Sequence, residues 1–119
     1  SRGLGDVYKR QEIDIAKAVA RAVRAKTGGL RHIKALGVRL KERNLVQVSI
    51  NVVDPFHTPL YRVLELVRLE AARYGVSVVG SEIVGLVPLS VIVETARYYL
   101  QLEGFKNKQI LETQLWEED

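Results

Sequence analysis

Along residues 12–26, Ile15, Val19, Ala22 and Val23 fall on one side of a helical wheel and Asp14, Lys17, Arg21 and Arg24 on the other. That spacing predicts an amphipathic helix, with Gly28-Gly29 where a helix end commonly takes a left-handed residue. From Ile33 the period shortens to two. Leu36, Val38 and Leu40 alternate with Ala35, Gly37 and Arg39, which predicts a strand whose second face is small enough for something to approach closely. Lys41-Glu42-Arg43-Asn44 supplies a polar turn, and a second strand is expected over Leu45–Val53. There Val46, Val48, Ile50 and Val52 point one way and Gln47, Ser49 and Asn51 the other.

Asp54-Pro55-Phe56-His57 breaks this strand. Thr58-Pro59 has the form of an N-cap followed by proline at the first helical position. A helix then carries Leu60, Val63, Leu64, Val67 and Ala71 inward and ends at Tyr74-Gly75. Val76–Val87 is β-branched and broken by glycine, and predicts a buried strand and turn. Pro88 opens a third helix, reaching about Gln101, with Leu89, Ile92, Val93, Ala96 and Leu100 inward and Gly104 ending it. A weaker helical segment covers Asn107–Leu115, and Trp116 suits either a packing residue or the start of a linker.

The order helix, strand, strand, helix, strand, helix predicts an α+β fold, with helices on one face of a small mixed or antiparallel sheet. A ferredoxin-like split βαβ layout would need one more strand ahead of the first helix. In that place stands Asp6-Val7-Tyr8-Lys9-Arg10-Gln11, which resembles the translation of a transposon-end sequencing adaptor. Residues 1–11 are therefore expected to be a foreign tail, with native sequence from near Glu12 and the native first strand lacking. Leu4–Lys9 is the one nearby stretch able to stand in for it.

Glu82 is the only charged residue between Arg73 and Glu94. A carboxylate among so many apolar neighbours must be paired, solvated at a cleft or shifted in pKa, and both a structural and a ligand-facing role are open to it. The uncharged row Gln47, Ser49, Asn51 differs from an ordinary water-facing strand, which mixes in Lys, Glu or Thr. It suits a surface covered by a ligand or by a second polar layer.

The 119 residues suffice for one domain with a real core. Absence of cysteine excludes disulfides and thiolate metal sites, and His32 and His57, far apart in sequence, do not suggest zinc. The net charge of +4 raises a nucleic-acid reading, but half of it comes from Arg2, Lys9 and Arg10 against Asp6. An RNA-recognition sheet would also show aromatics on its central strands, and Leu45–Val53 has none. No nucleic acid or membrane partner is expected, and the default location is cytoplasmic.

With these elements placed, the chain resembles the C-terminal subdomain of glutamate formimidoyltransferase, the transferase part of formimidoyltransferase-cyclodeaminase. The motifs that carry the likeness are Lys34-Ala35-Leu36-Gly37-Val38, Leu45-Val46-Gln47-Val48-Ser49-Ile50-Asn51, Thr58-Pro59-Leu60-Tyr61-Arg62-Val63, Val79-Gly80-Ser81-Glu82-Ile83-Val84-Gly85-Leu86-Val87-Pro88 and Tyr98-Tyr99-Leu100-Gln101-Leu102-Glu103-Gly104-Phe105. They run in the family's order over about residues 12–105, leaving 106–119 as a helical extension or linker.

The resemblance implies formimidoyl transfer from N-formimidoyl-L-glutamate to tetrahydrofolate, the folate acting as cosubstrate and no metal taking part. It implies a cleft between two ferredoxin-like subdomains, homo-oligomeric assembly in the full enzyme and, in some members, a following cyclodeaminase domain. Expected folate or substrate contacts are Gln47, Ser49 and Asn51, with Lys34 or Arg39 as carboxylate partners and Gly80, Ser81 and Glu82 as a cleft edge. Ala35 and Gly37 would widen that cleft. Some members carry glutamine at the place of Glu82, which implies hydrogen bonding there rather than proton transfer. The family's catalytic histidine lies in the N-terminal subdomain, and no motif here matches it. No catalytic residue is therefore assigned to this chain, and neither His32 nor His57 takes that role. The alternatives are a non-catalytic ferredoxin-like ligand-binding module and a related activity on 5-formyl-tetrahydrofolate.

Overall fold

A computed structural model describes residues 2–5, 11–40 and 45–116. Helix α1 spans Gln11–Val23, and the side chains it buries are Ala16, Val19, Ala20 and Val23. The spacing i, i+3, i+4, i+7 makes one continuous stripe, displaced by a few tens of degrees from the expected one. A 3₁₀ turn, Ala25–Thr27, follows, and Gly28 closes it in the left-handed conformation at φ 97°.

The sheet is four-stranded, in the order β2-β3-β1-β4. These are β1 Arg2–Gly5, β2 Ile33–Leu40, β3 Leu45–Val52 and β4 Val78–Glu82, and every neighbouring pair is antiparallel. With α1 between β1 and β2 and helix α2 (Leu60–Ala72) between β3 and β4, the architecture is ferredoxin-like βαββαβ. The position left open for a first strand is filled: Arg2–Gly5 lies between β3 and β4. Of the expected stand-in Leu4–Lys9, residues 6–9 lie outside the described residues, as does the expected turn at 41–44.

Helices α1 and α2 cover one face of the sheet. Their inward residues meet Ile33, Ala35, Val46, Val48 and Ile50 in a single apolar core. Each fully buried Val or Ile contributes roughly 1.5–3 kcal/mol relative to exposure. The register explains the small residues of β2. Ala35 pairs with Ile50 and Gly37 with Val48, so both face the helices. A Cβ on Gly37 would come within 2.6 Å of the Lys17 nitrogen and 2.7 Å of the Ala16 carbonyl carbon. Close approach does occur there, but by the backbone of α1, and the expectation that Ala35 and Gly37 widen a ligand cleft is corrected.

Thr58 does not cap α2. Pro59 is the N-cap residue, without a side-chain cap bond, and Pro88 holds the same place ahead of helix α3 (Leu89–Tyr99). The Thr58 side chain is 4% exposed and its hydroxyl donates to the Arg31 carbonyl at 2.6 Å, tying the entry of α2 to the loop before β2. Replacing Thr58 by valine orphans that carbonyl, and a loss of about 1–2 kcal/mol is expected from urea unfolding. An unchanged midpoint would show that the tie contributes nothing.

The expected buried strand over Val76–Val87 is also corrected. β4 is shorter and lies at the sheet edge, its residues from Val79 to Glu82 exposed. Beyond it, α3 buries Val91, while Leu89, Ile92 and Leu100 of the expected inward stripe are exposed. The helix ends at Tyr99, ahead of Gly104. Arg97 ties down the following loop, donating to the Phe105 carbonyl and to Asn107 Oδ1. A 3₁₀ turn, Asn107–Gln109, and helix α4, Leu111–Trp116, complete the chain, with Trp116 exposed. The molecule is elongated, 58 × 31 × 25 Å. Among the described residues no helix is long and apolar enough to cross a membrane.

Candidate functional site

The sheet face away from α1 and α2 is the one the uncharged row of β3 occupies. Directly opposed residues of antiparallel strands point to the same side, so the registers define this face row by row. Lys34 stands opposite Asn51, Leu36 opposite Ser49, and Val38 opposite Gln47. Across β1, Ser49 aligns through Arg2 with Glu82, and Gln47 through Leu4 with Gly80. Gln47, Ser49, Asn51, Lys34, Gly80 and Glu82 are therefore brought to one face.

Arg39 and Ser81 are not. Arg39 opposes the core residue Val46, which turns it to the α1 side. Ser81 aligns through Gly3 with the core residue Val48, and lines an apolar cavity of about 170 Å³ with Val63 and Val67 of α2 and Ile92 of α3, a cavity that the neighbouring Glu82 also borders. Strand alternation makes both outcomes unavoidable once the register is set. At the rim of this cavity the Tyr99 hydroxyl donates to Glu65 Oε2 at 2.7 Å. Burial, with the Glu65 carboxylate beside it, pushes the phenol up to about 12, so Tyr99 stays protonated.

Exposure along the polar row is graded. Asn51 is exposed, Ser49 half-buried, and Gln47 only 1% exposed. The Gln47 Oε1 is buried and finds no hydrogen-bond partner among the described residues. A buried acceptor left in this state costs on the order of 1–3 kcal/mol, a cost that a ligand or a covering layer bearing a donor would remove. Nothing in a period-two pattern distinguishes Gln47 from Asn51, so the sequence offers no signal for this difference.

Sequence distance misleads for the histidines. The rings of His32 and His57 lie 5.9 Å apart between centroids. His57 Nδ1 also meets Asp54 Oδ2 at 2.5 Å, while Asp54 Oδ1 accepts the backbone N–H of Phe56 at 3.1 Å. The signal was present in Asp54-Pro55-Phe56-His57, where an aspartate starting a turn can reach a histidine three residues on. Among the described residues no group of three or more His, Cys, Asp or Glu side chains is placed to hold a metal ion.

The hydrogen bond from His57 holds the Asp54 carboxyl below its ordinary value. A depressed folded-state pKa means that the contribution of Asp54 to stability is complete above about pH 4 and is lost as pH falls through the folded value. An NMR titration of the Asp54 carboxyl should show the lowered midpoint, and His57→Ala should return it toward about 3.9. Identical midpoints in the two proteins would remove His57 as the cause.

Fold and face together define a ferredoxin-like α+β subdomain in which one sheet face, lined by polar side chains, is left uncovered by helices among the described residues. A model of the formiminotransferase domain matches residues 6–115, and the chain belongs to that family. It is 53% identical over 103 residues to a glutamate formimidoyltransferase of Thermoplasma acidophilum, a match covering 87% of this chain and 34% of that protein. A glutamate formimidoyltransferase of Streptococcus pyogenes serotype M1 is 47% identical over 104 residues, covering 87% of this chain and 35% of that protein. The formimidoyltransferase-cyclodeaminase of Mus musculus is 42% identical over 76 residues, 64% of this chain and 14% of that protein. The chain thus spans about a third of the length of the bacterial and archaeal relatives it matches.

Proposed function

We propose that this chain is the folate- and substrate-facing half of a transferase that moves the formimidoyl group from N-formimidoyl-L-glutamate to tetrahydrofolate, releasing glutamate and 5-formimidoyl-tetrahydrofolate. The observation that carries the reading is Gln47, a buried amide with a partnerless oxygen at the centre of a polar sheet face. The names of the relatives supply the reaction class.

In the reaction the N5 amine of the folate adds to the amidine carbon, and the tetrahedral intermediate collapses by breaking the bond to the glutamate nitrogen. Such a transfer needs the two reactants held close and its charge and protons managed. The residues here suit holding. The Gln47 oxygen accepts a donor such as a pterin or amidine N–H, Ser49 and Asn51 donate or accept beside it, and Lys34 opposes Asn51 where a substrate carboxylate would lie. Glu82, in the row of Ser49, and Gly80, in the row of Gln47, form the far edge. Proton transfer and stabilisation of the intermediate fall to a facing N-terminal subdomain.

That subdomain is the proposed partner, with residues 12–105 as the C-terminal one, 106–119 as its extension and 1–11 left outside the assignment. Leu36, 59% exposed within the polar face, and the exposed Leu86, Leu89 and Ile92 suit surfaces covered in a larger, homo-oligomeric and cytoplasmic enzyme. The test is a transfer assay on residues 12–119 joined behind an N-terminal subdomain of the family, with this chain alone beside it. Transfer by the joined protein alone is expected. A joined protein that folds but forms 5-formimidoyl-tetrahydrofolate no faster than the blank would overturn the assignment, and turnover of 5-formyl-tetrahydrofolate instead would move it to that donor.

A further inference from the structure

At the outer edge of the sheet, a depression of about 460 Å³ is lined by Arg24, Lys26, His32 and Lys34, with Ile33, Ala35 and Val53 as its apolar floor. Among the described residues no carboxylate lines it. Among the described residues Lys26 and Lys34 form no ion pair. Like charges gathered on low-dielectric walls repel one another and raise the local concentration of anions.

The backbone around the depression is held in place by more than chance contact. His32 sits at φ 63°, a left-handed conformation uncommon for a residue with a side chain. It is pinned there from both sides: the Val53 N–H donates to the His32 carbonyl at 2.8 Å, and Thr58 holds the preceding Arg31 carbonyl. In the turn after α1, Gly29 lies so close to the helix that a Cβ would meet the Val23 carbonyl oxygen at 2.2 Å. This tight turn lets Leu30 and Gly29 donate to the Val23 and Arg24 carbonyls at 2.9 and 2.8 Å. The last carbonyls of α1 therefore do not require Lys26 as a side-chain donor.

From this we infer that the depression lined by Lys26, His32 and Lys34 is a binding site for a compact multi-oxygen anion, a phosphate or a small polycarboxylate. Cations reach it from two elements, the turn after α1 and the start of β2, and an anion with several oxygens can be held from both at once. β2 is the edge strand on this side, so no neighbouring strand covers the opening. Lys34 is shared with the polar face, where it opposes Asn51, whereas Lys26 belongs to this depression alone, and anion binding here is read without folate.

The test is an amide NMR titration of this chain with inorganic phosphate and, separately, with citrate, against sodium chloride at matched ionic strength. Saturable shifts are expected at the amides of residues 24–26, 32–34 and 53. Saturation by phosphate alone identifies a phosphate site, and by citrate alone a polycarboxylate site. The double variant Lys26→Glu/Lys34→Glu, both exposed positions, should weaken binding by about tenfold or more. Shifts that fail to saturate, that sodium chloride reproduces, or that the double variant leaves unchanged would overturn the inference.

Discussion

Substituting Gly37 by alanine is expected to cost about 3 kcal/mol and to lower the thermal midpoint by roughly 10 °C or more. An alanine in mid-strand would ordinarily be mildly stabilising relative to glycine. Here the added carbon meets the Lys17 nitrogen at 2.6 Å and the Ala16 carbonyl carbon at 2.7 Å. Both are backbone atoms of α1, which cannot rotate aside as a side-chain tip could. Relief requires shifting α1 as a unit, which opens gaps beneath Val19, Ala20 and Val23. Gly80→Ala is the control, since a Cβ there meets nothing within 4 Å. Comparable midpoints for the two variants would show that α1 yields easily and that its close seating is not a constraint.

Gln47→Leu should act with opposite signs on stability and on function. In this chain alone, replacing a buried acceptor that lacks a partner by an apolar side chain of similar size should raise stability by about 1 kcal/mol. In the joined transferase the same change removes the group proposed to receive the ligand. A fall in kcat/KM for tetrahydrofolate of about tenfold to a hundredfold follows from leaving a ligand donor unpaired in a dry site. Asn51→Ala, at the exposed end of the same row, should cost less, about threefold to tenfold, because water can replace the amide. Stability unchanged together with kinetics unchanged would place Gln47 among ordinary core residues and remove the main support for a ligand-facing wall.

A residue expected to destabilise its own subdomain at the centre of the proposed binding face is in keeping with the way functional sites hold unfavourable local arrangements. The rest of the fold supplies the compensation. Ile33, Val46, Val48, Ile50, Val63 and Val67 are buried on the helix side, where α1 and α2 pack against the sheet.

Local periodicity by itself determined α1, β2, β3 and α2 to within a few residues, and the alternation of β3 separated core from polar face correctly. The order of elements was sufficient for the α+β class, and the spaced motifs for the family, because both are properties of the chain taken in sequence. Tertiary pairing decided the remainder. A period-two pattern is symmetric between its two faces, so only the register against β3 could turn Ala35, Gly37 and Arg39 toward α1 and Lys34 toward Asn51. An apolar β-branched run suits a central strand or an edge strand equally well, and pairing placed Val78–Glu82 at the edge. Chain closure brought His32 to His57 and filled the first-strand position with Arg2–Gly5. The burial of Gln47 beside the exposure of Asn51 likewise depends on what lies over each end of the strand, which no local pattern encodes.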